Sequence, residues 1–242
     1  PRYGSSAASD VYKRQGLCLL CSAIISFIAI QLRSVQENNV VLDMQKKIVS
    51  SAGLDEVYGS VENAMSNIKT LIIDLDRGEI VDINPDTYEL SKELREDGKY
   101  KFLSAEEDVA SIKKREKYSK VYIEYKDNEI NTLILPVRGY GLWGILYGYL
   151  AIEGDFNTVA GLEFYEHKET PGLGAEIDNP KWKALWKGKK IYQENGEVSL
   201  KVIKGSVMKT SDNFSYEIDG LSGATLTCNG VSNLIALSLI HI

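Results

Sequence analysis

The sequence predicts an α+β protein, with a single N-terminal transmembrane helix followed by one extracytoplasmic domain built on an antiparallel or mixed sheet. Three observations carry that prediction. One long apolar run, residues 16–30, lies near the N-terminus, with Lys13 and Arg14 before it and Arg33 after it. The strand-like stretches that follow come in pairs around short turns and do not alternate with helices, which favours antiparallel pairing. Helical periodicity is confined to the stretch after the apolar run, a short segment near Trp182, and the C-terminal end.

The apolar run is shorter than the roughly 20 residues that span a bilayer. A signal peptide is the rival reading, but Ala29-Ile30-Gln31-Leu32 offers no small-x-small cleavage site, so residues 16–33 read as an uncleaved anchor. Lys13 and Arg14 would place the N-terminus in the cytoplasm and the bulk of the chain outside. Residues 1–15 are polar and Ser-rich and read as a foreign or mis-assembled leader. Residues 238–242 stop abruptly, so a native C-terminal segment is expected to be missing. Cys18 and Cys21 form a C-x-x-C, but inside the apolar run they read as small apolar filler; Cys228 stands alone.

After the anchor, Val40, Val41, Met44 and Ile48 recur on one face of a helix over residues 35–52, ended by Gly53. Val57, Val61, Met65 and Ile68 suggest a second, short helix. Residues 71–75 and 79–81 then read as a hairpin around Asp76-Arg77-Gly78. Residues 84–118 are polar, and Lys113-Lys114-Arg115-Glu116-Lys117 reads as a solvated face. A second hairpin joins residues 121–125 and 130–137, and a third joins 144–152 and 159–165 at Gly154-Asp155. Residues 180–186 suit a short helix with Pro180 in its first turn, residues 198–203 a strand, and residues 226–239 a final apolar helix. The soluble part divides into an N-terminal helical and hairpin segment, 34–120, and a C-terminal segment, 121–242. The whole chain has 242 residues, 44% hydrophobic and 26% charged, with net charge −6, enough for one good core. No basic patch with interleaved aromatics stands out, which argues against a nucleic-acid partner.

Three motifs bear on chemistry. Gly139-Tyr140-Gly141-Leu142-Trp143-Gly144 matches G-x-G-x-x-G, but the residues after it continue as strand, so a dinucleotide fold is rejected and a sharp bend with close backbone approach is expected. Glu169-Thr170-Pro171-Gly172-Leu173-Gly174 is a compact turn. Structurally it is a loop; functionally it offers a rigid ledge for a flat aromatic ligand, with an apolar contact from Leu173 and polar contacts from Thr170. Asp219-Gly220-Leu221-Ser222-Gly223-Ala224-Thr225 precedes the last helix, where unpaired N–H groups and the helix dipole would meet a phosphate. A helix cap at Ser222 or Thr225 is the plainer reading of that turn. His167 has no second histidine or cysteine cluster near it in sequence, so a metal site is not expected; hydrogen bonding near a ligand or a surface position remain open.

Taken together, these stretches resemble the C subunits of the sodium-translocating NADH:quinone oxidoreductases. The resemblance covers most of residues 17–235 and is densest at Pro136-Val137-Arg138-Gly139-Tyr140-Gly141-Leu142-Trp143-Gly144, at residues 161–174, at Asn179-Pro180-Lys181-Trp182-Lys183, and at residues 219–225. The G subunits of the Rnf electron-transport complexes share the Glu-Thr-Pro-Gly-Leu-Gly loop and the Asp-Gly-x-Ser-Gly-Ala-Thr signature.

The resemblance implies a single-pass protein of the bacterial inner membrane. Its extracytoplasmic domain would bind FMN, esterified through phosphate to Thr225 by a separate magnesium-dependent flavin transferase. It implies that Asp219, Ser222, Gly223 and Ala224 form the recognised turn. Glu169, Thr170 and Leu173 would line the ring, with Gly141, Leu142 and Trp143 approaching the same site. The chain would be an electron relay without catalytic residues or metal ligands of its own. It would receive electrons from the NADH-oxidising, iron–sulfur arm and pass them to the FMN of the complex's B subunit and on to quinone. An Rnf-type carrier, or a membrane-anchored sensor without flavin, are the alternative readings.

Overall fold

The computed structural model describes residues 3–240. Pro1, Arg2, His241 and Ile242, the outermost parts of both terminal expectations, lie outside the described residues. The chain forms two compact units, residues 1–44 and 45–242.

The first unit belongs to one helix, α1 (Tyr3–Ser51). No Gly or Pro occurs between residues 17 and 52, so nothing breaks it, and the two helices expected at 16–33 and 35–52 are a single one. It is long and apolar enough to cross a membrane by length and composition. Leu17, Leu20, Ile25 and Phe27 are all exposed along it, as apolar side chains facing an apolar solvent would be. The helix stops at Gly53, whose φ of 65° is the left-handed conformation that glycine adopts without strain.

The second unit opens with the last two turns of α1 and two short helices, α2 (Leu54–Tyr58) and α3 (Val61–Ser66). Ser60 caps α3 by accepting from Asn63 N–H at 3.2 Å. A glycine at 59, with φ of 73°, splits the single helix expected here into two. Then come β1 (Ile68–Asp74) and β2 (Glu79–Val81), paired antiparallel with Ile73 opposite Ile80. The polar stretch holds α4 (Leu90–Glu93) and a small hairpin, β3 (Tyr100–Phe102) with β4 (Lys114–Glu116).

Four long strands complete the sheet: β5 (Tyr118–Lys126), β6 (Glu129–Tyr140), β7 (Ile145–Glu153) and β8 (Val159–Glu166). The turn between β5 and β6 is Asp127-Asn128, both at positive φ (53° and 69°), the twist a two-residue hairpin turn demands. The order is β2-β1-β5-β6-β7-β8, with every neighbouring pair antiparallel. Strand β5 straddles residues 120 and 121, so the segments expected at 34–120 and 121–242 share one sheet. Beyond it lie α5 (Pro180–Lys183), a two-residue parallel pair of β9 (Lys201–Val202) with β10 (Glu217–Ile218), and α6 (Thr225–Ile240). The strand expected over 198–203 is thus only two residues long.

Each strand sends alternate side chains to two cores. Tyr122, Ile134, Tyr149 and Ala151 pack with Ile48 and Val49 from the end of α1. Val121, Leu135, Leu146 and Leu150 pack with Val231, Leu234 and Ile235 of α6 and with Trp186. Each of those three α6 side chains is fully buried and contributes about 1.5–3 kcal/mol relative to exposure.

The charged run at 113–117 departs from the solvated face read in the sequence. Arg115 and Glu116 are buried, 7% and 8% exposed. Glu116 is held by Arg138 of β6 at 2.5 Å, and Arg115 bonds Asp76. Buried charges persist only when paired, and the partners of this run lie 22 and 39 residues away in sequence.

Candidate functional site

The start of α6 is fixed by close glycine contacts. A Cβ on Gly139 would stand 2.5 Å from Leu234 Cβ, and one on Gly230 only 2.4 Å from Tyr140 O. Small residues on both sides therefore let the first turns of α6 press onto the end of β6. The bend expected at the G-x-G-x-x-G stretch is here: Gly141 N–H donates to Gly144 O at 2.8 Å, and the chain reverses from β6 into β7.

Three loops converge on Glu169, which is 5% exposed. Its Oε1 accepts from the backbone N–H of Leu142 at 2.9 Å and of Trp143 at 3.0 Å. Its Oε2 accepts from the Thr227 hydroxyl at 2.5 Å. Cβ atoms at Gly141 or Gly174 would stand 2.6 and 2.5 Å from this carboxylate, so both positions must lack one. Glu169 therefore ties the 141–143 bend, the 169–174 loop and the first turn of α6 into one assembly. Its carboxylate faces this junction and not the surface.

The loop itself is tight. Thr170 O accepts from Leu173 N–H and Ala175 N–H, both at 3.1 Å, and Gly172 takes a φ of 75°. Thr170 and Leu173 are left exposed. Leu173 reaches the other loop: its Cδ2 is 3.0 Å from where a Gly223 Cβ would sit, and Gly223 has φ of 75°. Glycine at 223 is required by conformation.

Thr225 is the first residue of α6 and is exposed; Ala224 before it is buried. No side-chain cap bond from Ser222 or Thr225 occurs among the described residues, so the plainer capping role is not what these side chains do. Ser222, Gly223 and Thr225 instead line a cavity of about 380 Å³, with Lys204, Ser206 and Asn229 on its other walls. That volume falls in the range of small-molecule sites. Asp219 lies behind the turn. Its Oδ1 accepts from Val207 N–H at 2.7 Å, and its carbonyl accepts from Trp182 Nε1 at 2.8 Å. It braces the 204–207 wall and does not point at the cavity. Cys228 also lines it, but burial pushes its thiol pKa up, despite the Leu221 N–H donated to Sγ, so it stays protonated and unreactive.

Both ring nitrogens of His167 are engaged: Nδ1 accepts from Glu169 N–H at 3.2 Å, and Nε2 contacts Asp178 Oδ2 at 2.8 Å. Accepting at Nδ1 places the proton on Nε2. The histidine thus steadies the base of the loop.

On the 141–143 bend, the 169–174 loop and the first turn of α6 the exposed apolar side chains are Leu142 (41%), Trp143 (62%), Leu173 (45%) and Leu226 (59%). Two contributors go unseen in the sequence. Thr227, fully buried, is legible only as a second threonine two residues after the first. The 204–206 wall is an ordinary Lys-Gly-Ser turn with no signal of its own.

Comparison with known proteins shows the family. Residues 141–239 match the FMN-binding domain family. The C subunit of the Na(+)-translocating NADH-quinone reductase of Pseudomonas aeruginosa is 47% identical over 224 residues, covering 90% of this chain and 86% of that protein. The corresponding C subunit of Vibrio vulnificus is 42% identical over 219 residues, with 90% and 85% covered. Among solved structures, Shewanella oneidensis NqrC superposes with a TM-score of 0.71 at 30% identity, over 79% of this chain and 88% of that one. The C subunit of Parabacteroides distasonis gives 0.64 at 29% identity, over 87% and 94%. With identities this high over nine-tenths of its length, the chain belongs to the family of C subunits of the Na(+)-translocating NADH-quinone reductases.

Proposed function

We propose that this chain is the electron-relay subunit of a sodium-translocating NADH:quinone reductase, carrying FMN through a phosphoester on Thr225. The carrying observation is the exposed Thr225 hydroxyl at the first turn of a 16-residue helix, opening on a cavity of about 380 Å³. The residues fit the group. The first-turn N–H groups of α6 have no intrahelical acceptor and suit a phosphate, and Lys204 brings a compensating charge to the same cavity. Leu173 supplies an apolar contact for a flat ring, and Leu142 and Trp143, fixed through their amides by Glu169, stand exposed beside it.

Bound there, FMN would supply the one- and two-electron chemistry, while the protein positions it and tunes its potential. Thr225 has no hydrogen-bonded base among the described residues, and a plain threonine hydroxyl is a poor nucleophile. Attachment therefore falls to a separate flavin transferase. The covalent link prevents loss of the cofactor from an exposed site. We place residues 16–33 in the inner membrane as the anchor, with the domain on the extracytoplasmic side, beside the B subunit and within reach of electrons from the NADH-oxidising subunit. The relatives favour this assembly over an Rnf-type carrier or a sensor without flavin.

The chain expressed with a flavin transferase should give a fluorescent band on a denaturing gel under ultraviolet light, and Thr225→Ala should abolish it. A dark wild-type band would refute the covalent assignment.

A further inference from the structure

Charge is unevenly distributed on the domain. Residues 181–209 carry eight lysines against Glu194 and Glu197, a net +6 in a chain whose remainder sums to −12. Residues 74–97 carry nine acidic side chains against Arg77, Lys92 and Arg95. The acidic stretch begins at the last residue of β1 and passes through β2 at one edge of the sheet, where Asp74, Asp76, Glu89, Glu93 and Glu96 are paired with Lys117, Arg115, Lys92 and Lys99. At the other edge, residues 188–190 add a rung outside β8: Val159 N–H donates to Lys189 O and Gly188 N–H to Val159 O, both at 2.8 Å. At about 4.8 Å per strand, the two edges lie roughly 29 Å apart. The lysines are already dense in the sequence over residues 181–190, contrary to the expectation that no basic patch with interleaved aromatics is present, and the fold places them at one sheet edge.

The basic edge adjoins the Thr225 turn. A second cavity, about 330 Å³, is lined by Lys187, Lys189, Lys209, Val207, Phe214 and Asp219. The bond from Val207 N–H to Asp219 joins its wall to the turn. Met208 is 72% exposed and Phe214 38%, so apolar ground stands among the lysines. Lys183, Lys190 and Lys201 are neutralised by Glu163, Asp155 and Glu217. Lys187 and Lys209 are exposed and make no ion pair among the described residues. Trp182 and Trp186, which interleave with these lysines in sequence, are buried, so neither offers its face to a nucleic-acid base.

We propose that the surface formed by Lys187 and Lys209 around Met208 and Phe214 is the docking face for an acidic protein surface on a partner subunit, held there beside the Thr225 turn. The proposal rests on the electron-relay reading. Electron tunnelling falls off steeply with distance, so a relay's partner must sit against the face that bears the cofactor; a lipid headgroup is under no such demand. An apolar centre inside a charged rim has the anatomy of a protein interface. Opposite charge steers the encounter and fixes its orientation.

The test uses the full chain in its membrane complex. Zero-length carbodiimide coupling in native membranes should join Lys187 or Lys209 to a carboxylate of another polypeptide. The variant K187E/K209E, outside the flavin cavity, should slow NADH-driven reduction of this chain's flavin by about tenfold and flatten its salt dependence. Flavin fluorescence per chain on a denaturing gel should be unchanged. An unaltered rate and salt dependence would overturn the proposal. So would protection of both lysines from acetylation by phosphatidylglycerol vesicles with no cross-link in native membranes, which would assign the face to lipid. A dark wild-type band on the gel would instead overturn the flavin reading beneath it.

Discussion

Removing Glu169 gives a graded test of how the site is held. Its carboxylate is 5% exposed and accepts from Leu142 N–H, Trp143 N–H and the Thr227 hydroxyl. In Glu169→Ala, three donors lose their acceptor where water enters poorly. At about 1–3 kcal/mol for each stranded group, and allowing for partial relaxation, the loss is about 3–5 kcal/mol. Glu169→Gln behaves differently. An amide oxygen at the Oε1 position still accepts from both backbone N–H groups, and its NH₂ can donate to Thr227 once that hydroxyl turns. Only the charge-assisted share is lost, about 1 kcal/mol. Urea unfolding of the full chain in neutral detergent, followed by the fluorescence of buried Trp182 and Trp186, measures both variants. Because the 141–143 bend is then untethered, Glu169→Ala should also lower flavin fluorescence per chain after expression with transferase, whereas Glu169→Gln should not. Equal effects of the two substitutions, or a loss below about 0.5 kcal/mol for alanine, would refute the junction role.

Thr227→Val removes the buried hydroxyl and should cost about 1–2 kcal/mol in the same urea assay, while Thr227→Ser should stay close to wild type. Gly230→Ala places a methyl 2.4 Å from Tyr140 O; overpacking should destabilise by about 1–3 kcal/mol and reduce flavinylation by shifting the start of α6. Arg138→Met strands buried Glu116 and should cost about 3–5 kcal/mol by thermal or urea unfolding, whereas replacing both partners by apolar residues should recover much of it. Burial raises the carboxyl pKa of Asp155, but hydrogen bonds from Thr158, Asn157 and Lys190 outweigh it and hold the pKa well below the usual carboxylate range. A depressed folded-state pKa contributes stability that is present above the unfolded value of about 3.9 and lost as pH falls through the folded one. Acid unfolding monitored below about pH 4 should therefore be less steep in Asp155→Asn than in the wild type.

What is legible in the sequence is local. Alternation and turn chemistry locate the three hairpins, because Asp127-Asn128 and Gly154-Asp155 announce themselves within a few residues. The turn before α6 is equally local, with Gly223 at φ of 75° and Thr225 opening the helix within one short stretch. Pairing across distance is not legible. Arg115 and Glu116 look like a solvated run until Asp76 and Arg138 are brought beside them. Glu169 looks like a ring-lining carboxylate until the 141–143 amides and Thr227 converge on it. The break at Gly59 and the continuity of α1 differ from expectation for a related reason: hydrophobic periodicity marks faces well and boundaries poorly. The lysine run at 181–190 is visible in the sequence, but which of its members stay unpaired is not, since Glu163 and Asp155 claim Lys183 and Lys190 only in the fold.

The central claim is the covalent flavin at Thr225. Intact-mass spectrometry of the full chain, purified from a host that makes the flavin transferase, tests it most directly. The wild type should be heavier than its bare polypeptide by one FMN less one water, and Thr225→Ala should show the bare mass. An unmodified wild-type chain, or an equal mass increment on Thr225→Ala, would contradict it.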